Sequence, residues 1–161
     1  MKFIIALSIA IMSVVAFAET QVTMFITLSP AGSFNAVNKK VKGNLIKQNG
    51  AFTTDKLYLN IENFKTGIEL RDEHLWKHLQ STKHPKAILT DLKATGGKGT
   101  ANLEVAGVKK PIKMTYEEKG TEVAAKFEVK ASDFALPKAQ YLGVGVEDLI
   151  RVEATIPFVS K

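Results

Sequence analysis

Residues 57–92, LYLNIENFKTGIELRDEHLWKHLQSTKHPKAILTDL, change their hydrophobic period twice. Leu57, Leu59 and Ile61 alternate with Tyr58, Asn60 and Glu62, the period-two signature of a strand with one dry face. From Asn63 to Pro85 the alternation stops. Leu75, Trp76 and Leu79 fall on one side of a helix, and His74 and His78, four residues apart, are neighbours on an adjacent side. Thr66 or Asp72 can cap a first turn, and Pro85 stops anything helical. Ile88, Thr90 and Leu92 then resume the strand pattern. The segment therefore predicts a short helix at about 70–80, inserted between two strands of an otherwise β-rich chain.

Outward from this insert, alternation dominates. Val22, Met24, Ile26 and Leu28 share one face of a first strand, and Ala101, Leu103 and Val105 stand opposite Asn102 and Glu104. Ile112, Met114 and Tyr116 form the next run. Val123, Ala125, Phe127 and Val129 follow, and Ile150, Val152, Ala154, Ile156 and Phe158 close the chain. Turn signals fall between the runs at Asn49-Gly50, Gly96-Gly97, Gly107 to Pro111 and Lys119-Gly120. About eight strands with short connections and one apolar face each imply an antiparallel sheet with a dry side. A closed barrel buries that side and removes the edges, and a two-sheet sandwich buries it without removing them. The uniform hairpin spacing favours an all-β, eight-stranded antiparallel, lipocalin-like barrel.

Residues 1–18 read as a signal peptide. Lys2 supplies the positive start, Phe3 to Val15 an apolar run shorter than a spanning helix needs, and Ala16-Phe17-Ala18 a small-residue cleavage site. Residues 19–161 then form one exported domain. The chain has no cysteine, so disulfides, thiolate nucleophiles and Cys-ligated metals are excluded. Loss of Lys2 takes the net charge from +6 to +5, spread over many single lysines, and no nucleic-acid partner is expected. Two small clusters, Lys39-Lys40 with Lys42 and Lys109-Lys110 with Lys113, read either as attraction to an anionic head group or as an ordinary solvated rim.

Candidate chemistry is sparse. His74, His78 and His84 suggest a metal site, but their order lacks the H-E-x-x-H arrangement, and near-surface polar histidines explain them more simply. Arg71 and Asp72 form an ion pair, cap the helix or contact a head group. Leu142 to Val146 contains a G-x-G pair outside any strand–helix phosphate-binding context, so it reads as a turn. No nucleophile elbow or Walker-type loop occurs, so neither an enzyme nor a cofactor is expected.

Barrel filling then becomes the functional question. Gly43, Gly99, Ala101, Ala125 and Ala154 are small positions on inward faces. The candidate apolar lining is Phe52, Leu57, Leu59, Ile61, Leu75, Ile88, Leu103, Phe127 and Ile156. Such a wall leaves an elongated cavity for a hydrophobic tail, or it interlocks into a filled barrel whose insert, with Trp76 as anchor, contacts another protein. Composition alone leaves both open.

The succession Ser33-Phe34, Lys42-Gly43, Thr66, Arg71-Asp72 with His74-Leu75, Pro85, and Val105 to Pro111 resembles the YceI-like, polyisoprenoid-binding family. Ser132-Asp133-Phe134 and the stretch from Tyr141 to Asp148 fit the same pattern. Departures are the absence of charged and histidine residues in the first strand, Ala135-Leu136 in place of a Gly-Ile type pair, and His84 where an aromatic is common. The resemblance implies a non-enzymatic periplasmic barrel that receives an isoprenoid or other long-chain amphipathic lipid, with transient contact to a membrane or a loading partner. Arg71, Asp72 and His74 would occupy the family's motif beside the barrel, in a role more architectural than ligand-contacting.

Overall fold

The computed structural model describes residues 19–141 and 143–161. The leader read at 1–18 and Leu142 of the glycine turn lie outside them. Twelve strands are described: β1 (Gln21–Ser29), β2 (Ser33–Asn38), β3 (Val41–Gly43), β4 (Leu45–Gln48), β5 (Ala51–Asn60), β6 (Lys86–Thr95), β7 (Lys98–Val105), β8 (Val108–Lys119), β9 (Glu122–Lys130), β10 (Gln140–Tyr141), β11 (Val144–Val146) and β12 (Leu149–Ser160). The helix α1 (Glu69–His78) lies between β5 and β6, close to its expected place.

Antiparallel hairpins run without interruption from β4 through β9, and β12 returns alongside β9 over Leu149–Pro157. The ring closes where Phe158, Val159 and Ser160 pair with Leu45, Ile46 and Lys47. Two expectations are corrected here. The closed ring has seven strands rather than eight, and its closing pair is parallel. The remaining strands are accessory: β1 takes the edge of β12 that β4 leaves free, β2 pairs with β1, and β3 pairs with β5.

The cause of the irregular closure lies at Gly43. Pairing with β5 joins Gly43 to Leu57 in β3 but Ile46 to Thr53 in β4, a shift of one residue. Gly43 has φ +111°, and a Cβ there would run into the Lys56 carbonyl oxygen, so only glycine permits the break. Asn38, fully buried, fastens the accessory hairpin to the ring. Its Nδ2 donates to the Asn60 carbonyl at 2.9 Å, and its Oδ1 accepts from the Lys40 N–H at 2.9 Å. Satisfying both groups keeps this burial from becoming a penalty.

Two apolar clusters make up the barrel's core. One, around Leu45, Phe52, Leu92, Ala94, Ala101, Ile112 and Val123, lies toward the end that carries the turns at Asn49-Gly50, Gly96-Gly97 and Lys119-Gly120. The other, around Ile26, Ala36, Leu59, Ile61, Phe64 and Leu79, lies toward the end crossed by α1. Gln80, with φ +57°, turns the chain out of the helical path after the last turn of α1.

Candidate functional site

Between the two clusters the barrel holds a cavity of about 120 Å³. Its wall draws on Val22, Val41 and Leu45, on Leu57 and Leu59, on Leu89, Leu92 and Leu103, and on Phe127, Ala154 and Ile156, among others. Among its lining residues only Tyr58 and Tyr116 carry a polar side-chain group. Such a wall offers area to hydrocarbon and almost nothing to orient a polar substrate.

Six of the nine expected lining residues meet at this cavity: Phe52, Leu57, Leu59, Leu103, Phe127 and Ile156. Ile61, 1% exposed, and the partly buried Leu75 belong instead to the cluster beneath α1. Ile88 is not part of the wall, whereas its neighbour Leu89 is. The displacement comes from a bulge in β6. The register with β7 shifts between Thr90 and Lys93, and Asp91 adopts φ +55°. Thr90 Oγ1 and Asn102 Nδ2 both donate to Asp91 Oδ2 at 2.9 Å, which fixes the bulge and keeps the carboxyl below its ordinary pKa. An extra residue reverses which side of a strand faces in. Leu89 and Leu92 thus both point inward, a spacing of three that the two polar residues between them signalled.

The five small positions separate by role. Ala125 and Ala154, paired across β9 and β12, line the cavity and leave it room. Ala101 is packed in the core. Gly99 lets strands approach: a Cβ on it would come within 2.7 Å of the Ala94 Cβ. Gly43 serves the break described above.

Packed side chains stand at both ends of the barrel. At the hairpin end Phe52, 2% exposed, meets Tyr116 and Phe158 edge-on with ring centroids 5.4 and 5.1 Å apart. Lys47 Nζ stands 5.7 Å from the rings of both Phe52 and Phe158 and donates to Glu118 Oε1 at 2.6 Å. At the other end, the motif before and within α1 acts as a fastening. Asp72, 4% exposed, accepts from the N–H and the hydroxyl of Thr66, each at 2.7 Å, and faces Lys65 at 3.6 Å. Burial alone would raise its pKa, but the two Thr66 hydrogen bonds and Lys65 together hold it below the usual carboxylate value. Arg71 does not pair with Asp72. Its Nη2 donates to the Thr66 carbonyl at 2.7 Å and its guanidinium lies 4.4 Å from the centre of the Phe34 ring.

Trp76, the anchor of the interaction-module reading, is tied inward. Its Nε1 donates to the Phe64 carbonyl at 3.0 Å, and Lys65 Nζ covers its ring at 4.5 Å. His74 is exposed on α1, and burial lowers the pKa of the half-buried His78. His84 rests against Gly107 in the β7–β8 turn. Among the described residues no three His, Asp or Glu side chains are grouped to hold a metal ion.

These features define a small β-barrel with an apolar interior. Comparison with known proteins agrees with the architecture. The YceI-like domain family matches residues 12–158, and the chain belongs to that family. No curated protein sequence matches it. Among solved structures, BcnA from Burkholderia cenocepacia superposes with a TM-score of 0.65 at 14% identity, covering 85% of this chain and 94% of that one. A polyisoprenoid binding domain from Saccharophagus degradans, implicated in plant cell wall breakdown, superposes with a TM-score of 0.63 at 14% identity, covering 86% and 93%. At such identity the likeness is one of fold. No helix among the described residues is long and apolar enough to cross a membrane.

Proposed function

We propose that the protein binds and carries an isoprenoid or similar amphipathic lipid in its barrel, without catalysing a reaction. In this reading residues 1–18 are removed on export and the chain from Glu19 onward works in the periplasm. The observation that carries the reading is the barrel cavity with its almost wholly apolar wall. The polyisoprenoid-binding relative of the same fold adds support.

The cavity's size sets the terms of binding. An engineered apolar cavity of about 150 Å³ accommodates one benzene, so 120 Å³ takes on the order of one five-carbon isoprene unit. At ~0.8 kcal/mol per buried methylene that yields about 4 kcal/mol, a millimolar affinity before association costs. A longer chain must therefore widen the barrel, and the flexible side chain of Met114 is where its wall yields most readily. Calorimetry with geraniol, farnesol and geranylgeraniol tests this. Affinity should rise along the series, with an increasingly negative heat-capacity change. Absence of binding by all three, or binding that ignores Phe127→Ser in a folded variant, would sink the proposal.

A further inference from the structure

A second concavity shares Phe52, Ala94 and Met114 with the cavity wall and adds outward-facing lysines and threonines. It is a shallow open groove of about 810 Å³ over β5 to β9, bordered by Lys93, Lys98, Lys113 and Lys126. The register shows how the four lysines are laid out. In one row across the sheet Thr53, Lys93, Thr100 and Lys113 are successive partners, and in the next Thr95, Lys98, Thr115 and Lys126. Lysine and threonine alternate along each row. Each lysine's nearest lysine in its own row is two strands away, about 10 Å at the usual strand spacing. Separation of this kind keeps four like charges on one face without placing any two directly opposite each other.

All eight of these side chains are exposed. Acidic neutralisation is slight: Lys126 approaches Glu153 at 3.8 Å, Lys93 interacts with Asp91 at the bulge, and Lys98 and Lys113 form no ion pair among the described residues. The large exposed apolar side chains, Ile68, Leu70, Val144, Leu149 and Val159, all lie elsewhere. None of these exposed apolar side chains stands on the lysine–threonine rows to anchor a protein partner. A linear polyanion calls for a line of charge, whereas these lysines spread over four strands and two rows. A two-dimensional array of anionic groups is the matching surface.

We infer that this lysine–threonine face docks the protein on an anionic phospholipid leaflet. Headgroup phosphates meet the ammonium groups, and the threonine hydroxyls provide further donors in the floor. The attachment is peripheral, electrostatic and salt-sensitive, and it does not depend on what the barrel contains. Each lysine near such a surface is worth about fivefold in partitioning, so three together amount to about a hundredfold.

The test uses the chain from Glu19 onward, which holds every described element, with vesicles of phosphatidylcholine alone or mixed equally with phosphatidylglycerol. Cosedimentation should be strong on the mixed vesicles, absent on the neutral ones and abolished by high salt. The triple variant K93Q/K98Q/K113Q should lose about two orders of magnitude in partitioning. The charge-matched control K77Q/K83Q/K138Q, on the opposite connections, should retain binding within a few-fold. Equal loss in both variants would overturn the inference by making net charge alone responsible. Failure of the parent chain to bind mixed vesicles, with or without binding to heparin or an acidic protein, would also overturn it. Because lipid-free protein is used throughout, failure here leaves the cavity proposal to its own titration.

Discussion

Filling the cavity should stabilise the protein while destroying its capacity for a hydrocarbon chain. Ala125 lines the cavity on β9, with Tyr116 on one side and Ala154 on the other. Ala125→Leu adds three carbons. At ~0.8 kcal/mol per methylene these contribute up to about 2.4 kcal/mol if all enter empty space. A cavity of 120 Å³ weighs about the same, near 3 kcal/mol at ~24 cal/mol per Å³. Leucine's lost rotamer freedom removes about 0.5–1 kcal/mol, so a net gain of about 1–2 kcal/mol is expected. Urea unfolding followed by Trp76 fluorescence reads this as a higher midpoint with an unchanged slope. Farnesol binding by the same variant should fall at least about tenfold, since a 1.4 kcal/mol loss of contact suffices. A variant destabilised by about 1–3 kcal/mol, the cost of overpacking a full core, would refute the cavity. A stabilised variant that still binds farnesol normally would refute its role as the site.

Further expectations concern the frame around the cavity. Gly107 has φ +77°, and a Cβ there would stand 2.6 Å from His84 Cε1. Gly107→Ala should cost about 2–3 kcal/mol in chemical unfolding, and adding His84→Ala should recover the steric part but not the 1–2 kcal/mol of left-handed strain. Phe52→Ala removes the buried ring packed against Tyr116 and Phe158 and should cost about 3–5 kcal/mol in the same assay. Asp72, whose folded pKa lies below its ordinary 3.8, lends stability that is complete above that value and is lost as pH falls through the lowered folded value. Asp72→Asn should therefore cost about 1–3 kcal/mol near neutrality, and the gap from the parent chain should narrow on acidification below about pH 4. A constant gap across that range would show that the charge on Asp72 is not what holds the Thr66 turn.

Much of the ring was legible because its strands obey a strict period of two. The inward faces of β7, β8, β9 and β12 are those the alternation marks, and the change of period at Asn63 locates α1 to within about two residues, the usual latitude at helix ends. Where the chain breaks that period, reading fails for a physical reason. β2, β3 and β4 are short pieces separated by Lys39-Lys40 and by Asn44, too brief to display alternation. With them went the seven-strand closure and its parallel seam, which depend on contacts between distant parts of the chain. At β6 a bulge without glycine or proline reversed the faces and exchanged Ile88 for Leu89. Ile61 and Leu75 are apolar and pack in the cluster under α1 instead of the cavity wall, since burial has two destinations in this fold that periodicity does not distinguish. Likewise the lysines of the outer groove stand singly in sequence, and only strand pairing gathers them.

The central claim is that the barrel holds a hydrocarbon chain. Native mass spectrometry of the protein purified from its own cells, followed by solvent extraction and identification of what is released, tests it most directly. The account predicts a one-to-one complex whose extract contains an isoprenoid or similar amphipathic lipid. A bare polypeptide mass that stays bare after incubation with farnesol and geranylgeraniol would contradict it.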